Sequence, residues 1–149
     1  MKVAIGCDHG GYPLTDLIVE TIVGLGHEVL SLDTCSAEPV DYVDIAVEVA
    51  RAVATGRADL GILYCGTGIG MSLAANKIKG VFAARAEDSY SARMAREHNG
   101  ANVLALGGRT VGPELARETV AAFLQAQPSP EARHARRREK LRALESDAS

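Results

Sequence analysis

The sequence predicts a single α/β domain built on a parallel five-stranded sheet, with helices on both faces and one extra helix at the C-terminal end. Three observations carry this. The 149 residues suit one domain and are too few for two of ordinary size. Hydrophobic residues make up 47% and charged residues 23%, the balance of a chain that buries a core. Over the first two thirds, short apolar runs alternate with stretches of helical periodicity, as consecutive βαβ units do. Right-handed crossovers between such strands make a doubly wound, Rossmann-like sheet the economical topology.

The elements follow in order. Strands are expected near Val3–Cys7, Glu28–Asp33, Asp59–Cys65, Gly80–Arg85 and Asn102–Leu106. Leu14–Gly24 and Tyr42–Ala54 repeat apolar residues at intervals of three and four and so fit amphipathic helices. A further helical pattern runs from Asp88 to His98, and another covers Glu114–Gln125. Pro128-Ser129-Pro130 then breaks the chain before a charged segment, Glu131 to about Leu144, which reads as a separate terminal helix. Ser146–Ser149 is expected to fray.

Composition narrows the function classes. A net charge of −3 offers no global attraction for nucleic acid or an anionic membrane, so any anion must be held by a local arrangement. No apolar run approaches a bilayer span, and Lys2-Val3-Ala4-Ile5-Gly6 opens as a strand rather than a secretory leader, which points to the cytoplasm. Cys7, Cys35 and Cys65 are odd in number and match no zinc or disulfide spacing, so free thiols are expected.

Ligands of open α/β sheets sit beyond the C-terminal ends of the strands. Four places draw attention. Gly6-Cys7-Asp8-His9-Gly10-Gly11 follows strand one, but its glycines fail the dinucleotide spacing. Asp33 stands where a ribose-binding acid could sit, which keeps a nicotinamide enzyme as a weak rival. Asp8 could equally cap the next helix, with His9 merely exposed.

The second place is Cys65-Gly66-Thr67-Gly68-Ile69-Gly70, followed by Met71-Ser72-Leu73-Ala74-Ala75-Asn76-Lys77. Three alternating glycines between strand and helix let backbone N–H groups converge on an anion such as an enediolate oxygen or a phosphate. A thiol in the same field suits proton abstraction. The bland reading is a small buried thiol beside a packing turn. Gly-Lys-Ser/Thr of a Walker loop is missing, and Met71 stands where a cysteine phosphatase needs arginine. The third place is His98-Asn99 with Arg109 after the next strand; each also reads as an ordinary helix-end or surface residue. The fourth is Arg133-His134-Ala135-Arg136-Arg137-Arg138, where Arg133 and Arg137 share a helical face and could grip a phosphate, although a solvated charged face is the commoner meaning.

Taken in this order, Gly6-Cys7-Asp8-His9, the Cys65–Gly70 loop, Ala74-Ala75-Asn76-Lys77, His98-Asn99 and Arg133-His134 resemble the ribose-5-phosphate isomerase B family, which also includes allose- and galactose-6-phosphate isomerases. The resemblance spans nearly the whole chain and implies an aldose–ketose isomerase acting without metal or cofactor. It implies Cys65 as the base that moves a proton between C1 and C2, placing the chain with the members that use a cysteine. It implies that His98 helps open the furanose ring near Asp8, that Thr67 handles a hydroxyl or ring-oxygen proton, and that the backbone of Gly66, Gly68, Ile69 and Gly70 stabilises a cis-enediolate. His9, Arg133, Arg137 and Arg109 would hold phosphate, and Tyr42 would line the sugar site. The family is dimeric or tetrameric, with His98, Asn99 and Arg109 reaching the pocket from a neighbouring subunit. The Arg136-Arg137-Arg138 triplet leaves open which cation joins Arg133; helical spacing favours Arg137. Ribose 5-phosphate is the leading substrate, with allose 6-phosphate, galactose 6-phosphate or a tetrose phosphate as alternatives. A non-catalytic nucleotide- or sugar-phosphate-binding module is the rival of another class.

Overall fold

The computed structural model describes residues 1–32 and 34–147. The strands are β1 Lys2–Cys7, β2 Glu28–Leu30, β3 Leu60–Cys65, β4 Ala83–Arg85 and β5 Val103–Gly107. All pairings are parallel, in the order β2-β1-β3-β5-β4. The helices are α1 Thr15–Gly24, α2 Tyr42–Ala54, α3 Ile69–Ala75, α4 Ser89–Glu97, α5 Pro113–Gln125 and α6 Ala132–Asp147.

Strand alternation sorts the core into two layers. Val3, Ile5 and Cys7 of β1 and Leu60, Ile62 and Tyr64 of β3 pack with Ile18 and Ile22 of α1 and Val120 and Phe123 of α5. Ala4, Leu63 and Cys65 face the other way, toward Ala46, Val49 and Val53 of α2 and Met71 and Ala75 of α3. The apolar spacing of α2 supplies its buried face, and Asp41 caps it by accepting from the Val43 N–H at 3.0 Å. Helices thus cover both faces, as expected from the alternating pattern.

Several boundaries differ from the sequence reading for local reasons. Tyr12–Leu14 forms a 3₁₀ turn containing Pro13, so α1 begins at Thr15. β4 starts at Ala83 because Gly80, at φ +87°, belongs to a turn. The Phe82 N–H is taken by the Asn102 side chain at 2.8 Å. β2 ends at Leu30, and the expected strand end and ribose-type acid at Asp33 lie outside the described residues, as do 148 and 149 of the expected frayed end. The same sheet edge continues as a single bridge between Cys7 and Cys35.

The terminal helix α6 lies against the end of α4. His134 is buried, and its ring stacks on His98 with centroids 4.0 Å apart and planes 8° from parallel. Further along, Leu141 and Leu144 are exposed. No helix of the described residues is long and apolar enough to cross a membrane.

Candidate active site

Three loops meet beyond the C-terminal ends of β1, β3 and β5. The Asp8 carboxylate, nearly buried, accepts from the N–H groups of Gly10 at 2.8 Å and Gly11 at 3.2 Å. Gly11 passes so close to the Tyr64 carbonyl that a Cβ would collide with it. Gly108 N–H donates to the Cys65 carbonyl at 2.6 Å, and Arg109 N–H to the Gly66 carbonyl at 3.0 Å. These contacts fix Asp8, Cys65 and Arg109 in one cluster.

Cys65 ends β3 on the α2/α3 face and is 5% exposed. Its Sγ accepts the Gly68 N–H at 3.1 Å. Gly68 reaches that geometry at φ +76°, the left-handed region, and stands against the Leu106 backbone where no side chain fits. α3 starts immediately afterwards, so the N–H groups of its first turn have no intrahelical acceptor and face the same loop. Thr67 Oγ1 accepts from the Ile69 N–H at 3.3 Å. The Tyr42 ring covers Gly70: a Cβ there would lie 2.6 Å from Tyr42 Cε2. Arg109 Nη1 lies 3.3 Å from where a Cβ on Gly66 would stand. Among the described residues no three His, Cys, Asp or Glu side chains group to hold a metal.

Arg109 corrects one expectation. It rests on its own chain's Gly66, because β5 runs beside β3 and carries the Gly107–Arg109 turn directly onto the Cys65 loop. It therefore needs no neighbouring subunit to reach this site.

Two side chains of this pole escaped the sequence reading. Arg85 Nε donates to the Thr67 carbonyl at 2.6 Å, and Arg85 Nη2 pairs with Glu87 at 2.7 Å. The Glu87 carboxylate in turn accepts from the Thr110 hydroxyl, tying three loops together. Their position at and just beyond the C-terminal end of β4 was the available signal.

His98, Asn99, Arg133 and Arg137 lie at the other pole. α4 leaves the C-terminal end of β4 and runs back, so His98 and Asn99 come just before β5 starts. There Val103 pairs with Gly61, whereas Cys65 pairs with Gly107 at the far end. The strand between spans about 13 Å. α6 returns to the same place as His98, bringing Arg133 and His134 with it. One chain therefore does not bring His98, Asn99, Arg133 or Arg137 to Cys65.

The arginine triplet is differentiated. Arg138 donates to the carbonyls of Glu97 at 3.3 Å, His98 at 3.4 Å and Ser129 at 2.7 Å, closing the end of α4. Arg136 and Arg137 are exposed, and Arg133, also exposed, pairs with Glu131 at 3.0 Å. His134 titrates below the usual histidine range because burial, then the charges of His98 and Arg133, disfavour its protonated form.

Comparison with known proteins places this geometry in context. A family profile described as Ribose/Galactose Isomerase matches residues 3–141. Ribose-5-phosphate isomerase B of Escherichia coli is 49% identical over 144 residues, 97% of this chain and 96% of its own. A D-erythrulose-4-phosphate isomerase of Pectobacterium atrosepticum is 43% identical over 129 residues, 85% of this chain and 84% of its own. A solved structure of Clostridium thermocellum ribose-5-phosphate isomerase B superposes with a TM-score of 0.94 at 48% identity, covering 100% of both chains.

Proposed function

Because the chain belongs to the Ribose/Galactose Isomerase family, we propose that it is an aldose–ketose isomerase interconverting ribose 5-phosphate and ribulose 5-phosphate. The observation that carries the reading is Cys65 heading the glycine loop with its sulfur already accepting the Gly68 N–H. In the forward step the Cys65 thiolate removes the proton from C2 of the open-chain aldose. The electron pair forms the C1–C2 double bond while the carbonyl π pair moves onto O1. Backbone N–H groups of the Gly66–Gly70 loop stabilise that oxyanion as a cis-enediolate. Cys65 then returns its proton to C1, and the O2 proton passes to O1, leaving a ketone at C2. Thr67 and Asp8 are suited to the hydroxyl transfer. Tyr42, packed on Gly70, lines the sugar site.

Ring opening and phosphate binding require the other pole. His98, supplied by a second copy, donates to the ring oxygen, and Asn99 orients a hydroxyl. His9 and Arg109 of the first chain with Arg133 and Arg137 of the second hold the phosphate. Arg138 is spent on the end of α4, and of the exposed Arg136 and Arg137 it is Arg137 that shares a helical face with Arg133. The site is thus assembled in a homodimer or a larger even assembly.

The 43% identity to a D-erythrulose-4-phosphate isomerase favours a tetrose phosphate as the second reading. Comparing kcat/KM for ribose 5-phosphate, D-erythrulose 4-phosphate, allose 6-phosphate and galactose 6-phosphate, with no cofactor added, decides between them. The proposal expects the highest value for ribose 5-phosphate. Binding of all four without turnover would instead identify a non-catalytic module.

A further inference from the structure

We propose that Cys7 and Cys35 form a redox pair that closes to a disulfide when a hydroperoxide oxidises Cys35. The two residues are direct bridge partners on neighbouring parallel segments, and the Cys7 N–H donates to the Thr34 carbonyl at 2.9 Å. Opposed positions on adjacent strands stand about 4.8 Å apart. That lies inside the roughly 4.4–6.8 Å separation of disulfide-linked Cα atoms.

The pair is asymmetric in the way a peroxide-reactive thiol and its resolving partner need. Cys35 is half-buried and lines a cavity of about 110 Å³ with Ile5, Ser31, Leu32 and Thr34. A water molecule takes about 30 Å³, so a small hydroperoxide fits there. Cys7 is buried. Tyr64 Oη lies 3.1 Å from Cys35 Sγ and 3.3 Å from Thr15 Oγ1, and Cys7 Sγ is 3.8 Å from that same Thr15 oxygen. Hydrogen bonding by Cys7 first, and by Tyr64 after it, lowers the Cys35 thiol to about 7 against the opposing effect of burial. The same interaction and burial raise Cys7. Near neutrality Cys35 is the nucleophilic member.

The chemistry balances in two steps. The Cys35 sulfur attacks a peroxide oxygen; the S–O bond forms, the O–O bond breaks, and water or an alcohol leaves. Cys7 sulfur then attacks the sulfenic Cys35 sulfur; the S–S bond forms, and the hydroxyl leaves as water with the Cys7 proton. Two electrons pass from the thiols to the peroxide. Cys65 is no competitor, since it faces the α2/α3 layer while Cys7 and Tyr64 face the α1/α5 layer. The crosslink would tie the residue preceding Asp8 to the neighbouring segment.

The test uses the full chain, wild type and Cys65→Ala, exposed to hydrogen peroxide, unfolded with iodoacetamide, digested and read by mass spectrometry. The expected result is parallel loss of alkylation at Cys7 and Cys35, an intrachain Cys7–Cys35 peptide in both proteins, and full recovery with dithiothreitol. In Cys35→Ser, Cys7 should keep its alkylation. Oxidation of Cys35 alone to sulfinic acid, a link between chains only, or two thiols untouched in the folded protein would each overturn the proposal.

Discussion

At Cys65 the neighbours decide the chemistry. The thiol ends a buried strand, and the N–H aimed at its sulfur comes from a glycine whose left-handed backbone stands where no side chain fits. Cys65→Ala removes the proposed base and little volume. It should lower kcat by at least about 10²–10⁴-fold, the usual worth of a general base. Calorimetric affinity for ribose 5-phosphate and the thermal midpoint should stay near wild type; unimpaired turnover would remove Cys65 from the mechanism. The residue was legible in sequence because three alternating glycines follow it. Arg138 was not legible: spacing marked Arg133 and Arg137 as a pair, but only packing shows that their neighbour closes α4. The two arginines should therefore behave differently. Arg137→Ala should raise KM with kcat and thermal midpoint nearly unchanged, as loss of uniform binding does. Arg138→Ala should destabilise the fold by about 1.5–3 kcal/mol, the range for hydrogen bonds to a charged group. Denaturant titration of both variants separates the roles.

Among elements, β1, β3, β5 and α2 were legible because their patterns agree with their burial. β4 shrank where a glycine turn and the Asn102 side chain took over its first backbone groups, a long-range contact that no window of sequence contains. α6 was expected as a helix, yet its place on α4 rests on the His134–His98 stack and the Arg138 hydrogen bonds, to which periodicity is blind. That stack gives a pH dependence. Burial lowers the folded-state pKa of His134, with His98, Arg133 and Arg137 adding repulsion and Glu131 opposing it. The unfolded chain then binds the proton more readily, so stability is fully present above the ordinary histidine value of about 6.5 and declines as pH falls below it. Thermal midpoints should drop on acidification from pH 7 toward pH 5, and His134→Gln should flatten that slope. An equal slope in both proteins would assign it to other groups.

For the whole molecule, two apolar layers and five β/α repeats were predictable from alternation. The strand order was not, because connection rules leave open which edge each new strand joins, and β4 ends outside β5. That order, with helices returning antiparallel to the strands, separates the chemistry into two halves. Asp8, Cys65, Thr67 and Arg109 gather beyond the C-terminal ends of the strands, while His98, Asn99 and Arg133 lie before the start of β5 or on the helix beside it. On the proposed function, a site of both halves takes two copies related by a two-fold axis, so that each centre pairs Cys65 of one copy with His98 of the other.

Mixing two inactive variants measures this directly. Cys65→Ala and His98→Ala subunits, exchanged under conditions that wild-type assemblies survive, should form hybrids in which one centre has both residues intact and the other has neither. With random exchange about half of the dimers are hybrids, each with one working site, so activity should rise to about a quarter of wild type. Hybrids verified by native mass spectrometry that remain inactive would contradict a site built from Cys65 of one chain and His98 of another.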